Sequence, residues 1–197
     1  MLVALVVAHP SPDGYCRSLA HRAEAGLRSA GHEVEVIDLY AAGFRPAMSA
    51  EERRAYDSDD PIIDPMVAEH AAVVQRATAL VFVYPTWWSG LPAVLKGWLE
   101  RVMVPGVGFR FDERSGRVRP GLGQVRHLIG ISTYGSSRTY VRLVNDNGRR
   151  TLTRALRMSC GLRARPKWMA LYGIDGSSDE RRQAFAERVE REMAGLR

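Results

Sequence analysis

The stretch Ala79-Leu80-Val81-Phe82-Val83-Tyr84-Pro85-Thr86-Trp87-Trp88-Ser89-Gly90-Leu91-Pro92-Ala93-Val94-Leu95-Lys96-Gly97-Trp98 decides the fold. Its first six residues form an unbroken apolar run, the pattern of a strand buried on both faces. From Pro92 onward the apolar positions fall at helical spacing, with Val94, Leu95, Trp98, Leu99, Val102 and Met103 on one stripe. Pro92 itself suits the first turn of a helix, where a missing amide costs nothing. A buried strand feeding an amphipathic helix is the start of a βαβ unit and so of a parallel sheet. Two adjacent tryptophans at the strand end exceed what packing requires. A turn there exposes backbone amides beside wide aromatic surface, which suits a flat heteroaromatic ligand with polar edges.

The same alternation recurs on either side. Strands are expected at 2–8, 33–38, 79–84, 126–132 and 167–172, and helices at 15–30, 65–76, 92–104, 140–159 and 179–196. Asp13 is placed to cap the first helix, and Gly31 to end it. Neither a repeat nor a linker interrupts the chain, so residues 1–197 read as a single domain. Residues 41–64 and 105–123 are longer irregular segments, which in a compact domain are usually functional or lid-like.

A chain of 197 residues is long enough for one domain with a real core, and 46% hydrophobic with 25% charged residues is ordinary for a globular protein. No apolar run is long enough to span a bilayer. Residues 1–8 lack a basic lead and read as the first core strand rather than a secretory signal. Cys16 and Cys160 make neither a disulfide framework nor a metal pattern, and the five histidines are scattered. No metal site is expected, and a reducing cytoplasm is the expected location. The net charge of +6 is carried almost entirely by arginine, Lys96 and Lys167 being the only lysines. The densest basic run, Arg149 to Lys167, reads as a solvated helix face and strand entry, with phosphate attraction as the alternative. It lacks the interleaved aromatics of a nucleic-acid surface, so no nucleic-acid partner is expected.

In a five-stranded doubly wound sheet of order 2-1-3-4-5, ligands bind at the carboxyl ends of the strands that flank the switch point. Here those ends carry Ala8-His9-Pro10-Ser11-Pro12-Asp13-Gly14-Tyr15-Cys16, the double-tryptophan turn, and Ser132-Thr133-Tyr134-Gly135-Ser136-Ser137. The first loop opens a helix, whose free amides favour a phosphate. His9 either adds a hydrogen bond to that phosphate or merely closes the strand. Cys16 is either a reactive thiol or a small half-buried residue, and no triad partner favours the former. Thr133, Tyr134, Gly135 and Ser136 could hold the pyrimidine edge of a flavin, whose reduced form is anionic there. Tyr140 either reaches back to that ring or sits on a helix surface. Competing motifs fail: there is no Gly-x-Gly-x-x-Gly, no Gly-x-Ser-x-Gly elbow and no Gly-Lys-Ser/Thr loop.

Ala8-His9-Pro10, Asp38-Leu39-Tyr40-Ala41 with Phe44, Pro46, Met48 and Ser49, the segment from Pro85 to Trp98, and the loop from Thr133 to Tyr140 together resemble the NAD(P)H:quinone oxidoreductase family of flavodoxin-like flavoproteins, over roughly residues 2 to 190. The resemblance implies a flavodoxin-like fold and a homodimer with FMN or FAD at each subunit interface. It also implies two-electron, ping-pong hydride transfer from NAD(P)H through flavin N5 to a quinone or similar aromatic acceptor. Carried over by position, His9, Tyr15 and Cys16 would bind flavin phosphate. Thr86, Trp87, Trp88 and Ser89 would bind the isoalloxazine, with an amide near Trp88 reaching N5. Thr133, Tyr134, Gly135 and Ser136 would bind the pyrimidine side, and Tyr140 and Trp88 would act in catalysis. Phe109 and Phe111 would either line an acceptor pocket facing the partner's flavin or anchor their loop to its own core.

Three departures stand out. Cys16 and Ser89 replace an asparagine and a phenylalanine of the mammalian members, and the histidine expected after the tyrosine has no match, Asp146 lying near its place. A shorter C-terminus gives FMN a slight edge over FAD. Similar proteins also serve as regulatory subunits of potassium-efflux transporters, and a tailoring reductase of an aromatic natural product is a third reading. Arg138 is a candidate for a cofactor phosphate.

Overall fold

The computed structural model describes residues 1–197. Five strands, β1 (Leu2–Val7), β2 (Glu33–Asp38), β3 (Ala79–Pro85), β6 (His127–Tyr134) and β7 (Arg165–Tyr172), form one sheet in the order β2-β1-β3-β6-β7, every pairing parallel. Counted along this sheet alone the order is 2-1-3-4-5, as the flavodoxin-like resemblance implies. A separate antiparallel hairpin, β4 (Phe109–Phe111) with β5 (Val118–Pro120), occupies the irregular segment 105–123.

Side-chain alternation along the strands splits the interior into two layers. Val3, Leu5, Val7, Val81 and Val83 face α1 (Tyr15–Ser29) and α8 (Asp179–Ala194). Ala4, Val6, Leu80, Phe82 and Tyr84 face α3 (Pro65–Arg76) and α4 (Ala93–Val102). Because β1 and β3 are covered on both faces they read as continuous apolar runs, which is why the sequence marks them so plainly. Trp98 is the largest fully buried side chain, its indole N–H donating to His70 Nδ1 at 3.2 Å. α1 ends as expected: Gly31 takes φ +76°, and the amides of Gly31 and His32 return to the carbonyls of Arg28 and Leu27, a Schellman closure.

Three expectations need correction. The helix expected at 140–159 is interrupted. α5 (Arg138–Leu143) stops, Asn145 and Asp146 adopt left-handed backbone at φ 76° and 44°, and the chain restarts as α6 (Asn147–Arg150), a π-helical stretch (Thr151–Leu156) and α7 (Arg157–Cys160). Asn and Asp tolerate that conformation better than other side chains, so Asn145-Asp146 breaks a helix that hydrophobic periodicity alone carries through. Asp13 does not cap α1; Gly14 stands at that position and no side chain bonds the first turn. The segment 41–64 contains a short helix, α2 (Ala50–Ala55), opened by a capping box between Ser49 and Glu52.

That segment is held down by a buried charge cluster. Arg101 of α4 is 5% exposed and donates to Glu52 of α2 at 2.7 Å, to Asp64 at the start of α3 at 2.7 Å and to the Arg45 carbonyl at 2.6 Å. Gly97 lets the chain pass close above the same helix, since a Cβ there would stand 2.1 Å from the Pro46 carbonyl oxygen. Burial pushes the Glu52 carboxyl up, but the Ser49 amide and Arg101 outweigh it and hold it below its usual value of 4.5. Asp64 is held below 3.8 chiefly by its hydrogen bond from Arg101.

Removing the cation strands two carboxylates, so Arg101→Met should lower the unfolding free energy at pH 7 by about 3 kcal/mol or more. Because both folded pKa values are depressed, their contribution is complete above the ordinary values and is lost as pH falls through and below them. Urea melts of both proteins should therefore show the wild-type advantage shrinking below about pH 4.5. A gap that stays constant down to pH 3 would contradict this account of the cluster.

Candidate functional site

The sheet register brings three loops to one place. Pro85 at the end of β3 pairs with Thr133 near the end of β6, and the Thr86 amide extends the ladder to the Thr133 carbonyl at 2.8 Å. On the other side the Ala8 amide reaches the Val83 carbonyl at 3.0 Å, so β1 ends just short of the end of β3. Beyond the ends of β3 and β6 lies an open cleft of about 630 Å³, with the β1 loop beside it rather than in its lining. Pro85, Thr86, Trp87, Trp88 and Ser89 line one wall, Thr133 to Ser136 with Tyr140 and Val141 another, and Ile174 and Asp175 close it.

The tryptophan wall is a tight turn of unusual backbone. Trp88 and Ser89 both have positive φ, 47° and 57°, and Trp87 and Gly90 exchange hydrogen bonds of 3.3 and 2.9 Å across them. Two successive left-handed residues make a type I′ turn, a geometry that ordinarily takes Asn-Gly, and each non-glycine residue in it costs on the order of 1–2 kcal/mol. The Trp88 side chain gains nothing back from the protein, since it is fully exposed at 103%, and Trp87 is 42% exposed. The amides of Trp88 and Ser89 donate to no protein acceptor. Strain, free donors and bare aromatic surface coincide in one turn, which is how binding sites store backbone cost.

The opposite wall offers the same chemistry without strain. The amides of Gly135 and Ser136 have no protein acceptor. Ser137 caps α5 by accepting from the Tyr140 amide at 3.3 Å, which fixes Tyr140 on the cleft rim, 51% exposed. Thr86 and Ser132 share a hydroxyl hydrogen bond of 2.9 Å at the cleft floor.

The first loop approaches the tryptophans from the β1 side. The His9 ring lies 6.4 Å from that of Trp87, while its Nδ1 sits 3.1 Å from the Ser11 carbonyl and 3.2 Å from the Ser11 amide, leaving Nε2 free. Gly14 permits this placement: a Cβ there would meet the His9 ring at 2.3 Å. The amides of Tyr15 and Cys16, in the first turn of α1, are also unpaired.

Three of the expected side chains are committed elsewhere. The Tyr15 hydroxyl donates to the Arg182 carbonyl at 2.6 Å, so toward a ligand only its amide is free. Cys16 is 3% exposed with its sulfur 3.2 Å from Thr133 Oγ1, and burial pushes the thiol up to about 11, which removes its nucleophilicity at neutral pH. Tyr134 is buried, stacked on Tyr172 at 4.7 Å and donating to Asp146 at 3.0 Å. Asp146 thereby holds a tyrosine hydroxyl instead of facing the cleft. Phe109 and Phe111 pack edge to face at 5.7 Å on the β4–β5 hairpin and do not line the cleft, with Phe111 59% exposed. Ile174 and Asp175 were not anticipated. Their only sequence signal is Gly173, left-handed at φ 64°, which turns the chain at the end of β7.

No helix is long and apolar enough to cross a membrane, and no group of three or more acidic, histidine or cysteine side chains could hold a metal ion. Both cysteines are free.

This arrangement is similar to that of known proteins. A family described as having a flavodoxin-like fold matches residues 1–193. An uncharacterized NAD(P)H oxidoreductase of Haemophilus influenzae is 34% identical over 109 residues, 55% of this chain and 53% of that protein. The human ribosyldihydronicotinamide dehydrogenase (quinone) is 29% identical over 164 residues, 75% of this chain and 70% of its own. The solved NAD(P)H:quinone oxidoreductase from Methanothermobacter marburgensis superposes with a TM-score of 0.83 at 29% identity, covering 100% of this chain and 99% of that one. The chain spans about half the length of the Haemophilus protein and of others among its curated relatives. The family match across nearly the whole chain, on a sheet of the expected order, means that this protein belongs to the flavodoxin-like-fold family.

Proposed function

We propose that this protein is a flavin-dependent NAD(P)H:quinone oxidoreductase. The observation that carries the reading is a cleft between the ends of β3 and β6, with the β1 loop set beside it through His9 against Trp87 at 6.4 Å and Cys16 against Thr133 at 3.2 Å. Each of the three loops presents unpaired amides, and a strained turn displays two bare indoles. The donor set fits a flavin mononucleotide in both charge and shape. Free amides at the start of α1, with His9 Nε2, suit a phosphate. The amides of Gly135 and Ser136, with the neighbouring hydroxyls, suit the carbonyl-rich pyrimidine edge, and the indoles of Trp87 and Trp88 suit a planar ring. The quinone reductases among its relatives support the choice of acceptor.

Bound in this cleft, the flavin would supply two-electron hydride chemistry, accepting hydride from NAD(P)H and delivering it to a quinone or related aromatic. The protein's own residues bind, orient and stabilise. Donors aimed at the pyrimidine edge favour the state in which negative charge collects there, and Tyr140 stands on the rim where its hydroxyl can share that charge. The open side admits one planar partner at a time, so donor and acceptor take turns in a ping-pong cycle. We further propose FMN in preference to FAD, a homodimer that closes the open side of the cleft with Phe109 and Phe111 of the second copy, and a reducing cytoplasm as its location.

Purified protein should be yellow, release FMN on denaturation and oxidise NADH or NADPH when menadione is added. Colourless protein that neither FMN nor FAD reconstitutes would reject the reading. A second test uses the strain in the tryptophan turn. Trp88→Gly should raise the stability of flavin-free protein by up to about 1 kcal/mol in urea melts, because glycine accepts positive φ freely. The same change should weaken flavin binding at least tenfold, a loss of about 1.4 kcal/mol of stacking and shape. Gly14→Ala should also weaken flavin binding by displacing His9, again by roughly tenfold per lost charge-assisted contact. Unchanged dissociation constants by fluorescence titration would contradict both assignments.

A further inference from the structure

Beside the flavin cleft lies a second concavity of about 450 Å³ whose walls carry Arg138, Arg142, Arg149, Arg150 and Arg154. None of these five exposed guanidinium groups makes an ion pair or a side-chain hydrogen bond within the protein, and what sets them apart from other unpaired arginines is that they share one concavity. Arg138 with Arg142, and Arg150 with Arg154, are spaced by four, where like charges meet on one helix face and weaken the helix. The one carboxylate in the concavity, Asp146, already accepts from the Tyr134 hydroxyl. The π-helical stretch Thr151–Leu156 adds Thr153 and Arg154 to the wall, a helix form frequent at functional sites. Positive charge is thus gathered in one hollow against local helix stability, with a single carboxylate, Asp146, among five guanidinium groups and the Trp168 ring under Arg149 at 6.0 Å as its internal relief.

The two concavities are joined. Val141 lines both, and the far wall of the basic one, Tyr172, stacks on Tyr134 of the cleft. A ligand whose planar end enters the cleft can therefore lay an anionic end among the arginines. Guanidinium forks match phosphate oxygens in pairs, and a doubly charged phosphomonoester gains more from several of them than a phosphodiester or a carboxylate does. We propose that this hollow seats the 2′-phosphate of the nicotinamide donor and makes the enzyme prefer NADPH to NADH. The inference rests on reading the adjoining cleft as a nicotinamide-fed flavin site.

The test compares wild type with Arg150→Gln/Arg154→Gln and with a control, Arg163→Gln/Arg165→Gln, whose side chains lie in a separate basic hollow near the opposite ends of β6 and β7. The ratio of kcat/KM for NADPH over NADH should exceed about 10 in wild type, fall at least tenfold in the first double variant and hold in the control. By calorimetry, 2′,5′-ADP should bind wild type at least tenfold more tightly than 5′-ADP, and the first variant should lose that difference. If wild type oxidises both nicotinamides equally well and the ratio is the same in all three proteins, the inference is overturned while the oxidoreductase reading stands. If neither nicotinamide is oxidised, the oxidoreductase reading fails, and equal binding of 2′,5′-ADP and 5′-ADP would then overturn the phosphate site as well. Binding of a mixed-sequence oligonucleotide that the first variant abolishes, without discrimination between the two nucleotides, would also overturn it.

Discussion

The feature on which everything else depends is the neighbouring ends of three parallel strands, offset by only a few residues. β1 ends at Val7 opposite Val83, β3 runs on to Pro85, and β6 ends at Tyr134, one past the partner of Pro85, with the Ala8 amide tied to the Val83 carbonyl and the Thr86 amide to the Thr133 carbonyl. Parallel ladders must be completed by crossover helices, so each strand end passes at once into a turn whose amides have no partner. Three such turns side by side make a rim of donors that no single loop could supply. The apolar layers beneath, one under α1 and α8 and the other under α3 and α4, keep that register rigid.

Around this rim the sequence accepts local costs that packing does not demand. A tryptophan and a serine occupy left-handed positions where glycine would relax, and the tryptophan side chain extends into solvent. Five arginines share a hollow with one carboxylate, Asp146, among them. By contrast, the buried Arg101 cluster is fully paired and serves to fasten the segment 41–64 over α4. Cost less relieved at the rim than in the scaffold is the division expected when the rim awaits ligands.

Much of this was legible in the residues. β1, β3 and β6 announce themselves because burial on both faces leaves no polar alternation, and the tryptophan turn stands out because nothing in a core explains it. Given the strand order that the flavodoxin-like resemblance implies, the three loops could be grouped as candidates for one site. What could not be read was the direction of side chains within those loops. Tyr15, Cys16 and Tyr134 look as accessible in sequence as Ser136 does, yet tertiary contacts with Arg182, Thr133 and Asp146 turn them inward. The break at Asn145-Asp146 was hidden by an apolar periodicity that continues across it. The basic run from Arg149 is a solvated face, as the sequence suggests, but the helix break that sets Arg138 and Arg142 around one concavity with it could not be read there. Asp175 lay beyond the last strand, where only a glycine hinted at a turn.

The most direct measurement of the central claim is a titration of flavin-free, isotope-labelled protein with FMN, followed by amide chemical shifts. The account requires the amides of Tyr15 and Cys16, of Trp88 and Ser89, and of Gly135 and Ser136 to shift together with a common dissociation constant. Shifts confined to one of the three loops, or spread over surfaces away from the strand ends, would contradict it.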